Sequence, residues 1–162
     1  MSTLKRLLLL ALLSILVISC RKSDWKYLLN KYPKTVITEK NLPLSGLQEV
    51  PQKIVPAKGK MDVSYNKKTK MLTYSITWWD LSAAPVGAHI HGPAARGVNA
   101  GVKHNFTNEI PKTVSGKFTN SVLVDDVSIK LDSLLRGYYY INIHTPMNPA
   151  GEIRGQIEFE HP

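Results

Sequence analysis

The stretch KMDVSYNKKTKMLTYSITWWDL, residues 60–81, decides the fold class. Apolar residues occupy every second position, at Met61, Val63 and Tyr65 and again at Leu72, Tyr74, Ile76 and Trp78, with mostly polar residues between them. Side chains two apart on an extended chain project from one face, so this is the pattern of half-buried strands and not of a helix. The polar run at residues 66–69 supplies a turn, and the two halves read as an antiparallel β-hairpin.

The same alternation recurs in KFTNSVLVDD (117–126), GYYYINIHT (137–145) and GEIRGQIEFE (151–160), with Gly, Pro and Asn clusters between the runs. In the last of these, Ile153, Ile157 and Phe159 face one way and Glu152, Arg154, Gln156 and Glu158 the other. Only VSIKLDSLLRG (127–137) departs from it: Leu131, Leu134 and Leu135 are at helical spacing, and Gly137 can close a short helix in a left-handed cap. Many short strands, one short helix and no βαβ alternation imply an all-β protein, an antiparallel Greek-key-like β-sandwich or barrel.

The first residues belong to a different account. MSTLKRLLLLALLSILVIS (1–19) has a charged start at Lys5 and Arg6, an apolar run from Leu7 to Val17, and Ser19 ahead of Cys20, the only cysteine. VISC resembles the lipobox of bacterial lipoproteins, which implies cleavage before Cys20 and acylation of its sulfur and new amino group. An ordinary secretory signal and an uncleaved membrane helix are the alternatives. The expected organisation is a signal peptide over 1–19, a lipid-anchored tether over 20–40, and one domain over 41–162. Within the tether, Trp25, Leu28, Leu29 and Tyr32 are at helical spacing, either as a short amphipathic helix on the membrane or against the domain, or as part of a mobile linker. Arg21 follows the anchor where an inner-membrane retention signal would carry Asp, which favours the outer membrane of the bacterial envelope, facing periplasm or surface.

With 21 basic and 12 acidic residues the chain carries a formal charge of +9. The lysines are scattered over KKTK, NKYPK and PQKIVPAKGK rather than aligned on one helix or set among exposed aromatics, which speaks against nucleic acid. A solvated surface, or attraction to an anionic membrane or glycan, accounts for them.

Residues that could carry chemistry are few. In GAHIHGPAARG (87–97), His89 and His91 are two apart and so share a strand face. Zinc or copper needs at least a third protein ligand, and His144 in YYYINIHTP is the best placed; the three imidazoles either converge on one ion or pin loops by hydrogen bonds. His104 and His161 are weaker candidates. Asn148, Pro149 and Gly151 mark a turn, after which Glu152 and Arg154 share a face and could form a bidentate bridge that staples it. Glu49 with Glu152 as an acid/base pair ranks last, and no nucleophile motif or phosphate loop occurs.

LSGLQEVP (44–51), AHIHGPA (88–94), the L-x-x-G-x-YYINIHT pattern ending at Thr145, and NPAGEIRGQI (148–157) together resemble the CHRD domain, named for chordin and present in secreted and lipid-anchored bacterial proteins. The resemblance spans about residues 40–160, with Leu47 where the family usually has Ala, and a poorly matching stretch between Val98 and Val122 that reads as a variable loop. It implies an extracytoplasmic β-rich module without established enzymatic activity, and Glu49, His89, His91, His144, Glu152 and Arg154 fall on its matched positions. A weaker likeness to copper/zinc superoxide dismutase lies in the H-x-H, the later histidine and the sandwich, but the further ligands and the disulfide of that enzyme are missing. The expectation is a non-enzymatic, lipid-anchored envelope module that binds a protein or glycan. The alternative is a zinc- or copper-binding module, possibly redox-active, that uses His89, His91 and His144.

Overall fold

Eight strands make up the computed structural model, which describes residues 34–159: β1 (Val36–Ser45), β2 (Lys58–Asn66), β3 (Met71–Trp79), β4 (Gly87–His91), β5 (Val102–Asn105), β6 (Gly116–Leu123), β7 (Tyr139–Thr145) and β8 (Asn148–Ile157). One helix, α1 (Leu131–Leu135), and a 3₁₀ turn at Gly46–Gln48 complete the elements. The signal segment, Cys20, the amphipathic stretch at 25–32 and His161 lie outside the described residues. Residues Lys34–Pro162 form a compact unit by themselves. β1 starts at Val36, so the last five residues of the segment read as a tether belong to the sheet.

The predicted hairpin is present. β2 and β3 pair antiparallel along their whole length, with Met61 opposite Ile76, Val63 opposite Tyr74 and Tyr65 opposite Leu72. All strands join one antiparallel sheet in the order β5-β4-β7-β8-β1-β2-β3-β6, curled into a nearly closed barrel. Its two edges approach where Phe106, just after β5, stacks on Phe118 of β6 at 5.7 Å and packs at a tilt against Tyr74 of β3 at 5.2 Å. His104 is therefore not in a loop: it is on β5, its Nε2 3.1 Å from the Tyr74 hydroxyl. The stretch between Val98 and Val122, read as variable loop, contributes the edge strand β5 and most of β6, the latter being the alternating run read at 117–126.

The apolar side chains of the alternating runs fill the barrel. Met61, Leu72, Tyr74, Ile76, Trp78, Ile90, Ile141, Ile143, Ile153 and Ile157 are almost fully buried, and a layer of this size is the main stabilising term. α1 is where the leucine spacing put it, and Gly137 follows it at φ 74. One turn is placed differently. The chain reverses at residues 146–147, because the Asn148 N–H bonds the Thr145 hydroxyl at 3.2 Å, and Asn148–Gly151 already belong to β8.

Around the barrel the outer face divides in two. On β2, β3 and β6 it carries Lys58, Lys60, Thr77, Trp79, Lys117 and Thr119 and meets water. On β7 and β8 it carries Tyr140, Asn142, Glu152, Arg154 and Gln156, which alternation alone would leave exposed; all five are buried. Two segments after β1 and β4, residues 46–53 and 92–101, lie over most of them, and Ser82 after β3 covers Glu152.

Trp78 and Trp79 test this assignment of faces. Trp78 is 1% exposed with its indole N–H bonded to the Thr113 carbonyl, whereas Trp79 is 37% exposed. Trp78→Ala is expected to cost about 3–5 kcal/mol in denaturant titrations, and Trp79→Ala under about 1 kcal/mol. Equal losses would contradict the register.

Candidate functional site

Strand pairing assembles the site. His89 of β4 lies opposite Asn142 of β7, His91 opposite Tyr140, and Gly87 opposite His144; Asn142 in turn lies opposite Arg154 of β8, and Tyr140 opposite Gln156. Paired residues share a face, so three histidines, a tyrosine, two amides and an arginine form one polar layer. Gly87 is required by its neighbour: a Cβ there would sit 3.0 Å from the His144 ring.

His89, His91 and His144 do converge. A ring nitrogen of each lies within 4.8 Å of the other two. The opposite nitrogens decide which ones point inward. His91 Nδ1 is 2.8 Å from the Ala100 carbonyl and His144 Nδ1 is 3.0 Å from the Pro149 carbonyl. A carbonyl only accepts, so His91 Nδ1 carries the proton and its Nε2 presents a bare lone pair, whereas His144 meets an acceptor at each nitrogen, the Pro149 carbonyl at Nδ1 and Asn142 Oδ1 at Nε2, and its proton can sit on either. His89 Nδ1 and His144 Nε2 share a hydrogen bond at 3.1 Å, so one of them carries its proton in the metal-free protein; the Thr107 hydroxyl, 3.3 Å from His89 Nε2, can accept from that ring when Nδ1 gives its proton up.

Burial strengthens the same bias. Desolvation pushes all three imidazoles below the usual histidine range, His89 to about 4, with the neighbouring rings adding to the effect there. Neutral rings with fixed tautomers are the form that ligates a metal. His91 Nε2 is buried and has no hydrogen-bond partner. Two imidazoles held by one tetrahedral ion at 2.0–2.1 Å have their nitrogens about 3.3 Å apart, close to the His89–His144 separation. His104 takes no part, being bonded to Tyr74.

Behind the imidazoles the layer is locked. Tyr140 stacks on His91 with ring centroids 4.9 Å apart and planes 3° from parallel, and it carries the Arg154 guanidinium 3.3 Å from its ring centre. Arg154 donates to the Val98 carbonyl at 3.0 Å and to the side chains of Asn99 and Gln156. Gln156 donates to the carbonyls of Ala94 and Gly137, and Asn99 donates to Val50, tying the two covering segments together.

The expected bridge between Glu152 and Arg154 does not form. Glu152 instead accepts from the Ser82 N–H at 2.8 Å, the Ser82 hydroxyl at 2.6 Å and the Thr145 hydroxyl, which fastens the segment after β3. The two side chains reach different neighbours because β8 runs beneath two separate loops. Asn148 contributes turn geometry through its backbone and leaves the imidazoles alone.

Glu49 arrives from the 3₁₀ segment after β1. It is 4% exposed, and the Asn142 side chain and the Val50 N–H bond its carboxylate. Oε1 has no partner and packs on Gly151, where φ is 127 and a Cβ would occupy the place of the carboxylate. Burial outweighs the attraction of Arg154 and raises Glu49 to about 7. Asn142 Oδ1, on the other side of that amide, is 3.0 Å from His144 Nε2, so Asn142 bridges Glu49 to the histidines. Sequence reasoning missed Asn142, Tyr140, Gln156 and Ala100; the alternation in GYYYINIHT was the one signal available for the first two.

The family model described as the CHRD domain matches residues 41–157, well over half of the chain. No curated protein and no solved structure matches.

Two pH effects follow for the metal-free protein. The folded state favours the protonated form of Glu49, so its contribution is full below about pH 4.5 and is lost as pH rises through about 7. Relative to wild type, Glu49→Gln should therefore gain stability between pH 5 and 8, by up to about 3 kcal/mol for a shift of this size; urea titrations across that range would read it, and a constant difference would contradict it. In NMR titrations the His89 ring should stay neutral down to about pH 4, and protonation near pH 6.5 would refute its burial among the other rings.

Proposed function

The chain belongs to the CHRD domain family, and from that premise we propose that its barrel is a metal-binding module, held at the bacterial cell envelope through a lipid on Cys20. His89 Nδ1, His91 Nε2 and His144 Nε2 are the ligands, and zinc or copper is the ion, since imidazole sets without thiolate suit both. One observation carries the reading: a buried imidazole nitrogen with no partner, at His91, inside a cluster whose other ring nitrogens all have partners within the protein. A purely structural histidine cluster satisfies its ring nitrogens internally. Here a cation fills the space that no internal proton donor fills.

The remaining residues support binding rather than turnover. Asn142 Oδ1 faces the same space and Tyr140 braces His91, while Glu152, the second carboxylate considered for acid/base chemistry, is fully occupied by Ser82 and Thr145. The signal segment and Cys20 supply the envelope location, with the basic surface facing anionic lipid or glycan.

Metal analysis by mass spectrometry and calorimetric titration with zinc and copper test the proposal on the Lys34–Pro162 unit. About one ion per chain is expected. His91→Ala should weaken binding at least about a hundredfold, and Gly87→Ala about tenfold by displacing the His144 ring. Absence of tight binding, or binding unchanged in a folded His91→Ala variant, would leave the histidines as structural groups.

A further inference from the structure

Beside the polar layer a cleft of about 480 Å³ opens to solvent between the segment after β1 and the segment after β4. Leu47, Val50 and Pro51 form one wall, Arg96 and Gly97 the other, and Glu49 and Arg154 the inner end. Its volume is that of a site for a small molecule. Its charge is unusual at Arg154. That side chain is 1% exposed, and its three hydrogen bonds all go to neutral oxygens, on Val98, Asn99 and Gln156. Among the described residues the ion pair at this cleft is Arg96 with Glu158, at 2.6 Å, and Arg154 has no carboxylate within 4.0 Å.

A buried guanidinium without a counter-ion is costly, and this one keeps donors to spare, since arginine has five N–H groups. Glu49 is the anionic residue nearest in role, but burial keeps its carboxyl partly protonated at neutral pH and Oε1 finds no partner in the protein. Lys53 and Arg96 add further positive charge around it.

We propose that this cleft binds a small organic carboxylate, with the carboxylate paired to Arg154 and the carbon body lying against Leu47, Val50 and Pro51. Both Nη2 hydrogens are already donated to Val98 and Gln156, so the carboxylate takes one of the remaining donors, Nε–H or the second Nη1–H, in a single charge-assisted bond. Phosphate fits less well, because a doubly charged group would face the Glu49 carboxyl and leave the apolar wall uncovered. Leu47, 61% exposed, is the part of that wall with no other evident use. The site does not depend on a metal at the imidazoles.

NMR titration of the Lys34–Pro162 unit at pH 7 in the presence of a chelator tests the proposal, with acetate, hexanoate and inorganic phosphate as probes. Hexanoate should bind saturably and several-fold more tightly than acetate, because added methylenes bury on the apolar wall. The amide shifts should centre on residues 47–52 and 96–97. Arg154→Gln should weaken hexanoate about tenfold or more, as expected for loss of a charge-assisted pair. Because Arg154 also holds the covering loop, Leu47→Glu serves as a second variant: it is exposed, leaves the fold intact, and should weaken binding by a similar factor. No saturable binding of either carboxylate, unchanged hexanoate affinity in Leu47→Glu, or phosphate binding as tightly as hexanoate would each overturn the assignment.

Discussion

Strands β7 and β8 are withdrawn from water on both faces, and a strand pair in that position ordinarily carries apolar residues on both. Here the outer face carries Tyr140, Asn142, Glu152, Arg154 and Gln156. Each polar group taken out of water has to meet a partner, and the covering segments are shaped by that requirement. Arg154 collects the carbonyl of Val98 and the amide of Asn99, Gln156 collects Ala94 and Gly137, and Glu152 collects Ser82 and Thr145. Two atoms are left over, His91 Nε2 and Glu49 Oε1, and they lie on the two sides of Asn142. A layer otherwise so thoroughly satisfied makes those two exceptions informative.

The exceptions divide the layer into two adjoining sites. On the β4 side lie the three imidazoles of the proposed cation site. On the β8 side lies the guanidinium of the proposed carboxylate site. Glu49 and Asn142 stand between them, so each site bears on the electrostatics of the other. This arrangement suits a binding module, with rigid strands supplying the contacting groups and loops supplying cover.

Much of the fold was legible because a sheet's period of two is written directly in sequence. Met61 to Trp78 and Ile153 to Phe159 declared their inward faces, and His89 and His91 declared a shared one. Pairing of β4 with β7, the condition on which His144 joins them, is met in the structure. What alternation cannot express is cover. It made Glu152 and Arg154 neighbours on one face and suggested a bridge, whereas Glu152 is held by Ser82 and Arg154 by Val98 and Asn99, in loops 50 or more residues distant along the chain. Glu49 could be singled out as a motif residue, but its place beside Asn142 depends on how the chain turns after Ser45. The edge strand β5 was obscured because it is only four residues long and lies in a polar, loop-rich stretch, whereas β6, at the other edge, was legible as the alternating run KFTNSVLVDD.

X-ray absorption at the metal edge of the zinc- or copper-loaded protein most directly tests whether the three histidines share one ion. Three imidazole nitrogens at about 2.0–2.1 Å, with the outer-ring scattering of histidine, is the predicted result. A shell made of oxygen alone, or one with fewer than two imidazoles, would contradict it and would return His89, His91 and His144 to a structural role.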